Sequence, residues 1–144
     1  MIYEREDIHN VNVKLPRGSI DDTVEHYFLN GQCHSMAYAL HKKLNLPVVW
    51  LEHALYGGIT HCAVKLPDGD ILDVRGVRSS TFEGFIEHTC PDPKAFLDSC
   101  TEDAWVNDDD DFGIWMKPDL YLAHHYANII IDKYAHDIAI SMCA

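Results

Sequence analysis

The sequence predicts an α+β fold in which N-terminal helices pack on a small antiparallel sheet. Two helical patterns precede the first strand, and the strand-like runs that follow are short, β-branched and joined by tight turns. The chain then closes on another helical pattern, so helices and strands are segregated rather than alternating as βαβ units. The 144 residues, 47% hydrophobic and 24% charged, have an ordinary globular composition and predict a single domain over 1–144. Collagen-like, low-complexity and largely disordered classes are excluded on the same grounds.

The first 18 or so residues are polar and read as irregular chain or an edge strand. Ser19 reads as the cap of a first helix, with Asp21 and Asp22 in its first turn, where acidic groups suit the dipole. Ile20, Val24, Tyr27 and Phe28 give it one apolar face, and Asn30-Gly31 ends it. A second helix is expected from about Cys33 to Leu44, with Cys33, Met36, Ala37, Leu40 and Leu44 as its stripe and Lys42 and Lys43 in its last turn. Pro47 opens the strand Val48-Val49-Trp50-Leu51, and Tyr56-Gly57-Gly58 forms a loop. Thr60–Leu66 and Asp70–Val74 form a hairpin around Pro67-Asp68-Gly69. Thr81 is expected to cap a short helix over Phe82–Glu87, and Asp92-Pro93 to open another through Phe96 and Leu97. Asn107–Asp111 reads as a solvated loop. A last helix starts at Pro118 and runs through Leu120, Ala123, Ile130, Tyr134 and Ile138.

Eleven basic against 23 acidic residues leave a net charge of −12. That surface repels phosphate backbones, so no nucleic-acid partner is expected, and basic or neutral partners suit it better. The opening residues lack a basic n-region and an apolar h-region, and no run reaches the ~18 apolar residues of a membrane span. The reading therefore expects no secretory signal and no membrane. Five cysteines, an odd number without an export signal, point to reduced thiols and a cytoplasmic setting.

The chemistry concentrates at Cys33. It follows a glycine break and opens an apolar-periodic helix, where the positive end of the dipole and unpaired N–H groups stabilise a thiolate. The same N–H groups suit an oxyanion. His61, 28 residues on in a strand, is placed to serve as base, and Asp73, 12 further in the next strand, to orient the imidazole. Hairpin parity supports this. A three-residue turn at Pro67-Asp68-Gly69 sets Leu66 opposite Asp70, Ala63 opposite Asp73 and His61 opposite Arg75, so His61 and Asp73 share a face. A two-residue turn would put them on opposite faces. Read singly, Cys33 is a small core residue, His61 a hydrogen-bonded strand histidine and Asp73 a solvated strand end.

Asn30-Gly31-Gln32-Cys33 leading a helix, Thr60-His61-Cys62-Ala63-Val64 on a strand, and Asp68-Gly69 before Leu72-Asp73 resemble the transglutaminase-like branch of the papain-like fold. The resemblance spans residues 30–75 and lies in the order and spacing of the three parts. It implies a papain-like fold with a transglutaminase-like core. Cys33 would be the nucleophile, His61 the general base and acid, and Asp73 the orienting group. It also implies attack on an acyl carbon through a thioester: amide hydrolysis, deamidation or acyl transfer on a protein or peptide. Gln32 and Asn30 are candidate oxyanion donors. Two departures stand out: Cys62 follows the histidine where the family commonly has an apolar residue, and no glutamine stands several residues before Cys33. The alternative is a catalytically inactive papain-like fold acting as an acidic protein-binding module.

Other groupings are weaker. His88, Cys90 and Cys100 match no common zinc spacing. His34 adjoins Cys33 on the helix and is not expected to face it. Cys62 alternates away from His61 and reads as core, and His124-His125 as surface and packing. Asp108–Asp111 lacks the glycine and glutamate spacing of a calcium loop. No phosphate-binding or dinucleotide glycine pattern occurs, so neither metal nor cofactor is expected.

Overall fold

The computed structural model describes residues 2–8, 11–55, 58–79, 85–100 and 117–143. Strands β1 (Ile2–Ile8) and β2 (Val11–Pro16) precede helices α1 (Asp22–Leu29) and α2 (Cys33–Leu44). Strands β3 (Val48–His53), β4 (Ile59–Lys65), β5 (Ile71–Asp73), β6 (Gly76–Arg78) and β7 (Phe85–Thr89) follow. Helices α3 (Pro93–Ser99), α4 (Leu120–Lys133) and α5 (Ala135–Met142) complete the described elements. The class is mixed α+β. Strands β3–β7 form one antiparallel sheet in the order β6-β5-β4-β3-β7, and β1 and β2 pair separately. Among the described residues no helix is long and apolar enough to cross a membrane.

Helix α2 is the centre of the core. Its buried Met36, Ala37 and Leu40 meet Cys62 and Val64 of β4, Leu72 of β5, and Leu122, Tyr126 and Ile130 of α4. Strand alternation puts Val49, Leu51, Ala63 and Ile71 in a second buried cluster. The expected last-turn lysines of α2 are in place, and Asn45 closes the helix in the left-handed region, its N–H donating to His41 O at 2.8 Å.

Several boundaries differ from the sequence reading. The cap of α1 is Asp21, not Ser19: its carboxylate accepts from Val24 N at 3.0 Å, and Ile20 packs beside the core ahead of the helix. The N-terminal residues form a hairpin. Leu15 is fully buried, Tyr3 stacks edge-on against Tyr121, His125 and Tyr126, and Tyr126 Oη donates to Pro16 O. Where Phe82–Glu87 reads as helix, residues 85–89 are strand β7, with Leu51 opposite Glu87 and Trp50 opposite His88. Its aromatic and β-branched residues take the open edge of β3, and charged pairs hold it: Lys65–Glu87 and His88–Glu52, each at 2.7 Å. Thr81 and Asn107–Asp111 lie outside the described residues.

The last helix is two helices that meet at Tyr134. The sequence hides the break because Ile130, Tyr134 and Ile138 keep helical spacing and hydrogen bonds cross the joint (Tyr134 N to Ile130 O, Ile138 N to Tyr134 O, both 2.9 Å). Asp92 caps α3 with Pro93 in its first turn, as expected, its side chain accepting from Ala95 N at 3.1 Å.

The hairpin register is the one that the turn chemistry implies. Val64 faces Leu72 and Lys65 faces Ile71, with Leu66 N donating to Asp70 O at 2.8 Å. Gly69 takes a φ of +98°, which glycine alone adopts without strain. A second tight turn, Val74-Arg75, joins β5 to β6 and sets Asp73 opposite Gly76, whose φ is +99°. A Cβ on Gly76 would lie 2.6 Å from the Tyr134 ring, whereas one on Gly69 would meet open space. Gly69→Ala is therefore expected to cost roughly 1 kcal/mol, from backbone strain alone. Gly76→Ala adds overpacking and should cost roughly 2–4 kcal/mol. Urea midpoints compare the two; equal costs would mean that Tyr134 does not press on the turn.

Candidate functional site

Cys33 is the first residue of α2. Gly31, at φ +113°, turns the chain into it, and Gln32 is the cap residue without a side-chain cap bond. The first-turn N–H groups therefore have no helical acceptor beside this thiol. The helix start is tied down by buried polar groups. Gln32 Nε2 donates to Lys117 O at 3.0 Å, and Gln32 Oε1 accepts from Ser35 Oγ at 2.5 Å and from Asp119 N at 3.1 Å. Asp119 also caps α4 and accepts from Tyr27 Oη at 2.7 Å, so the N-termini of α2 and α4 share one network. Asn30 ends α1, its Nδ2 donating to His26 O at 3.0 Å. The side-chain amides of Gln32 and Asn30 thus both engage helix ends.

His61 and Asp73 meet across β4 and β5, as their shared parity requires. His61 Nε2 lies 2.9 Å from Asp73 Oδ2, with side chains only 11% and 3% exposed. With Nε2 on the carboxylate, Nδ1 is the ring nitrogen left over, and the Cys33 thiol is among the groups that raise the pKa of this imidazole. His61 and Asp73 are odd-numbered, like the second cluster, whereas Cys33 packs with the even-numbered Cys62. The β3–β4 register changes just before the histidine. His61 faces Leu51 but Ile59 faces Glu52, so the extra residue of a β-bulge is Thr60, directly before the histidine. Bulges bend a strand and re-aim the adjoining side chain.

The charges are matched in a row. Burial alone would raise the pKa of Asp73, but hydrogen bonds from His61 and Arg75 hold it well below the carboxylate range. Arg75 reaches it with Nη2 on Oδ2 at 2.7 Å and with its backbone N–H on Oδ1 at 2.8 Å. Burial pulls His61 down, yet Asp73 and Cys33 together raise it to about 9. Cys33 is drawn well below the usual thiol value, first by a hydrogen bond from Cys62, with His34 and His61 adding to it against the effect of burial. Cys62 moves the other way, well above the usual value, through burial and its contact with Cys33.

The structure joins His61 to Asp73 by a hydrogen bond and buries Cys33 where His61 acts on its titration, and it adds neighbours that sequence reasoning missed. His34, buried beside Cys33 on α2, also lowers the pKa of the thiol, an influence that the sequence reading did not assign to it. Cys62 is core, as read, and touches the same sulfur. Its even position on the α2 side of β4 was the available signal. Arg75, two residues after Asp73 in a tight turn, is positioned by spacing alone to clamp that carboxylate. His88 pairs with Glu52, and among the described residues no three His, Cys, Asp or Glu side chains gather to hold a metal ion. Comparison of the chain with family models, curated proteins and solved structures finds no match.

Two pH measurements follow. Below its pKa an ordinary thiol alkylates about tenfold faster per pH unit, because only the thiolate reacts. Cys33 should instead react with iodoacetamide at a nearly constant rate from pH 6.5 to 8.5, with the exposed Cys143 as the ordinary thiol in the same chain. His61→Gln should steepen the Cys33 profile, and a wild-type Cys33 that tracks Cys143 would refute the thiolate. The second measurement is stability. His61, with its pKa raised, contributes stability that is complete below 6.5 and lost as pH rises through about 9. Cys33, with its pKa lowered, contributes stability that is present above its unfolded value of 9.0 and lost as pH falls through its folded one. Between 6.5 and 9 the folded pair holds its proton on His61 and the unfolded pair holds it on Cys33. The counts match, so wild-type stability should stay level. Cys33→Ala removes the compensation, and its urea midpoint should fall across that range; a level midpoint in the variant would show that Asp73 does not hold a proton on His61.

Proposed function

We propose that this protein carries out cysteine-dependent acyl chemistry through a Cys33–His61–Asp73 triad on a papain-like, transglutaminase-like core. The substrate would be an amide of a protein or peptide, and the outcome hydrolysis, deamidation or acyl transfer. The observation that carries the reading is the imidazole of His61, hydrogen-bonded to the buried carboxylate of Asp73, with its pKa raised in part by the thiol at the start of α2. Five free cysteines fit a reducing, cytoplasmic setting, and the acidic surface favours basic or neutral partners over nucleic acid.

In this reading the Cys33 thiolate attacks the acyl carbon, and the charge that develops on oxygen meets the N–H of Cys33 at the positive end of the α2 dipole. His61 gives its proton to the leaving amine or ammonia, and a thioester remains on Cys33. Neutral His61 then takes a proton from water, for hydrolysis or deamidation, or from an amine, for transfer. Asp73 accepts from Nε2 throughout, fixing the tautomer and stabilising the imidazolium. Arg75 and the anchored Gln32 act at one remove, by holding Asp73 and the helix start.

The test offers glutamine-containing peptides with and without a fluorescent amine and follows ammonia, amine incorporation, and acylation of Cys33 by intact mass. Cys33→Ala should abolish all three. Asp73→Asn should keep the fold and slow turnover on the order of 10²–10⁴-fold, since an amide presents the wrong partner to the ring. Turnover that survives Cys33→Ala, or a biological effect untouched by it, would sink the enzymatic reading and favour a binding module.

A further inference from the structure

The acyl chemistry proposed above makes no use of Cys62. This thiol lies in the middle of β4, opposite Trp50, on the face that α2 covers. It is 1% exposed, and Cys33, at 4%, shares its core cluster. Both thiols lie in this one cluster, where each shifts the other's titration, one on the anchored end of a helix and the other in a strand interior. Both backbones are held in regular structure, so the sulfurs stay neighbours without a loop rearrangement. A purely structural core position would be served equally well by an alanine or valine, which cannot donate to the neighbouring sulfur.

We propose that Cys33 and Cys62 are a reversible dithiol–disulfide pair, oxidised by hydroperoxides, that switches the site off. The Cys33 thiolate attacks one oxygen of the peroxide and the O–O bond breaks. The departing hydroxide takes the proton of His61 and leaves as water, with Cys33 as the sulfenic acid. The Cys62 sulfur then attacks the Cys33 sulfur. The S–O bond breaks, and the hydroxyl leaves as a second water with the proton of Cys62. Two thiols lose two electrons, and one peroxide is reduced to two waters. The asymmetry of the pair suits the order of events: the acidified thiol is attacked first and its neutral neighbour resolves it. The bridge also protects Cys33 from the irreversible sulfinic and sulfonic acids. The inference needs the thiolate and its neighbour but no acyl transfer, so it stands or falls separately from the proposed reaction.

The experiment treats the reduced full-length protein with hydrogen peroxide, blocks the remaining thiols with N-ethylmaleimide, and maps the peptides. The expected product joins the peptides of Cys33 and Cys62, leaves Cys90, Cys100 and Cys143 blocked by the maleimide, and returns to free thiols with dithiothreitol. Iodoacetamide labelling of Cys33 should be lost in step with the bridge and restored with its reduction. Cys62→Ser should give no bridge and should accumulate a dimedone-reactive sulfenic acid on Cys33. Wild-type protein in which peroxide takes Cys33 to sulfinic acid or to a lasting dimedone adduct, with Cys62 still blocked by maleimide, overturns the proposal. So does a bridge that joins any other pair. The wild-type map decides the matter even if the variant folds poorly.

Discussion

A row of alternating charges runs through the sheet into the start of α2: Arg75, Asp73, His61 and Cys33. Asp73 is the member on which the others depend. An ionised carboxylate in so dry a place is costly unless its oxygens are satisfied. Here Oδ2 accepts from His61 and from Arg75 Nη2, and Oδ1 from the Arg75 backbone. Those same bonds aim the imidazole and hold its proton. Removing any one member strands its neighbours, which is why a buried pair reads as weak when swapped whole and as strong when halved.

The row exists because two turns fix the register on either side of Asp73. Gly69 closes the β4–β5 loop at three residues, which keeps His61 and Asp73 on one face. The Val74-Arg75 turn then folds the guanidinium and the backbone N–H of Arg75 back onto the carboxylate, with Gly76 under Tyr134 as its abutment. Strand pairing at this end of the sheet is short, so turn geometry does much of the positioning that long ladders do elsewhere.

What the sequence made legible was local and periodic. The α2 stripe, the Asp92-Pro93 start of α3 and the three-residue turn are chemical signatures within a few residues of one another, and each appears in the structure. From the turn came the His61–Asp73 contact, a long-range prediction resting on a short-range rule. Strand β7 was illegible because its partner decides it: Phe85–Thr89 takes strand form beside the free edge of β3. The kink at Tyr134 was illegible because the apolar spacing runs through it, and the cap of α1 because Ser19 and Asp21 are equally good residues two positions apart. In the site, Cys62 lies in the core as its parity implied, but neither its influence nor that of His34 on the Cys33 thiol could be read from rules for regular elements.

That placement has a general consequence for the sulfur. Midway along α2, a cysteine would face only the α2 side of the sheet, with Met36 and Leu40, and its neighbour would be Cys62 without His61. At the first helical position, the thiol instead feels both the His61 imidazole and the Cys62 thiol, side chains of opposite parity on β4. The helix end adds the positive end of its dipole, and the Gln32–Asp119 network ties that end down. The acidity of Cys33 is therefore a property of the junction between helix end and bulge. No single neighbour supplies it: Cys62, His34 and His61 each lower it against the effect of burial.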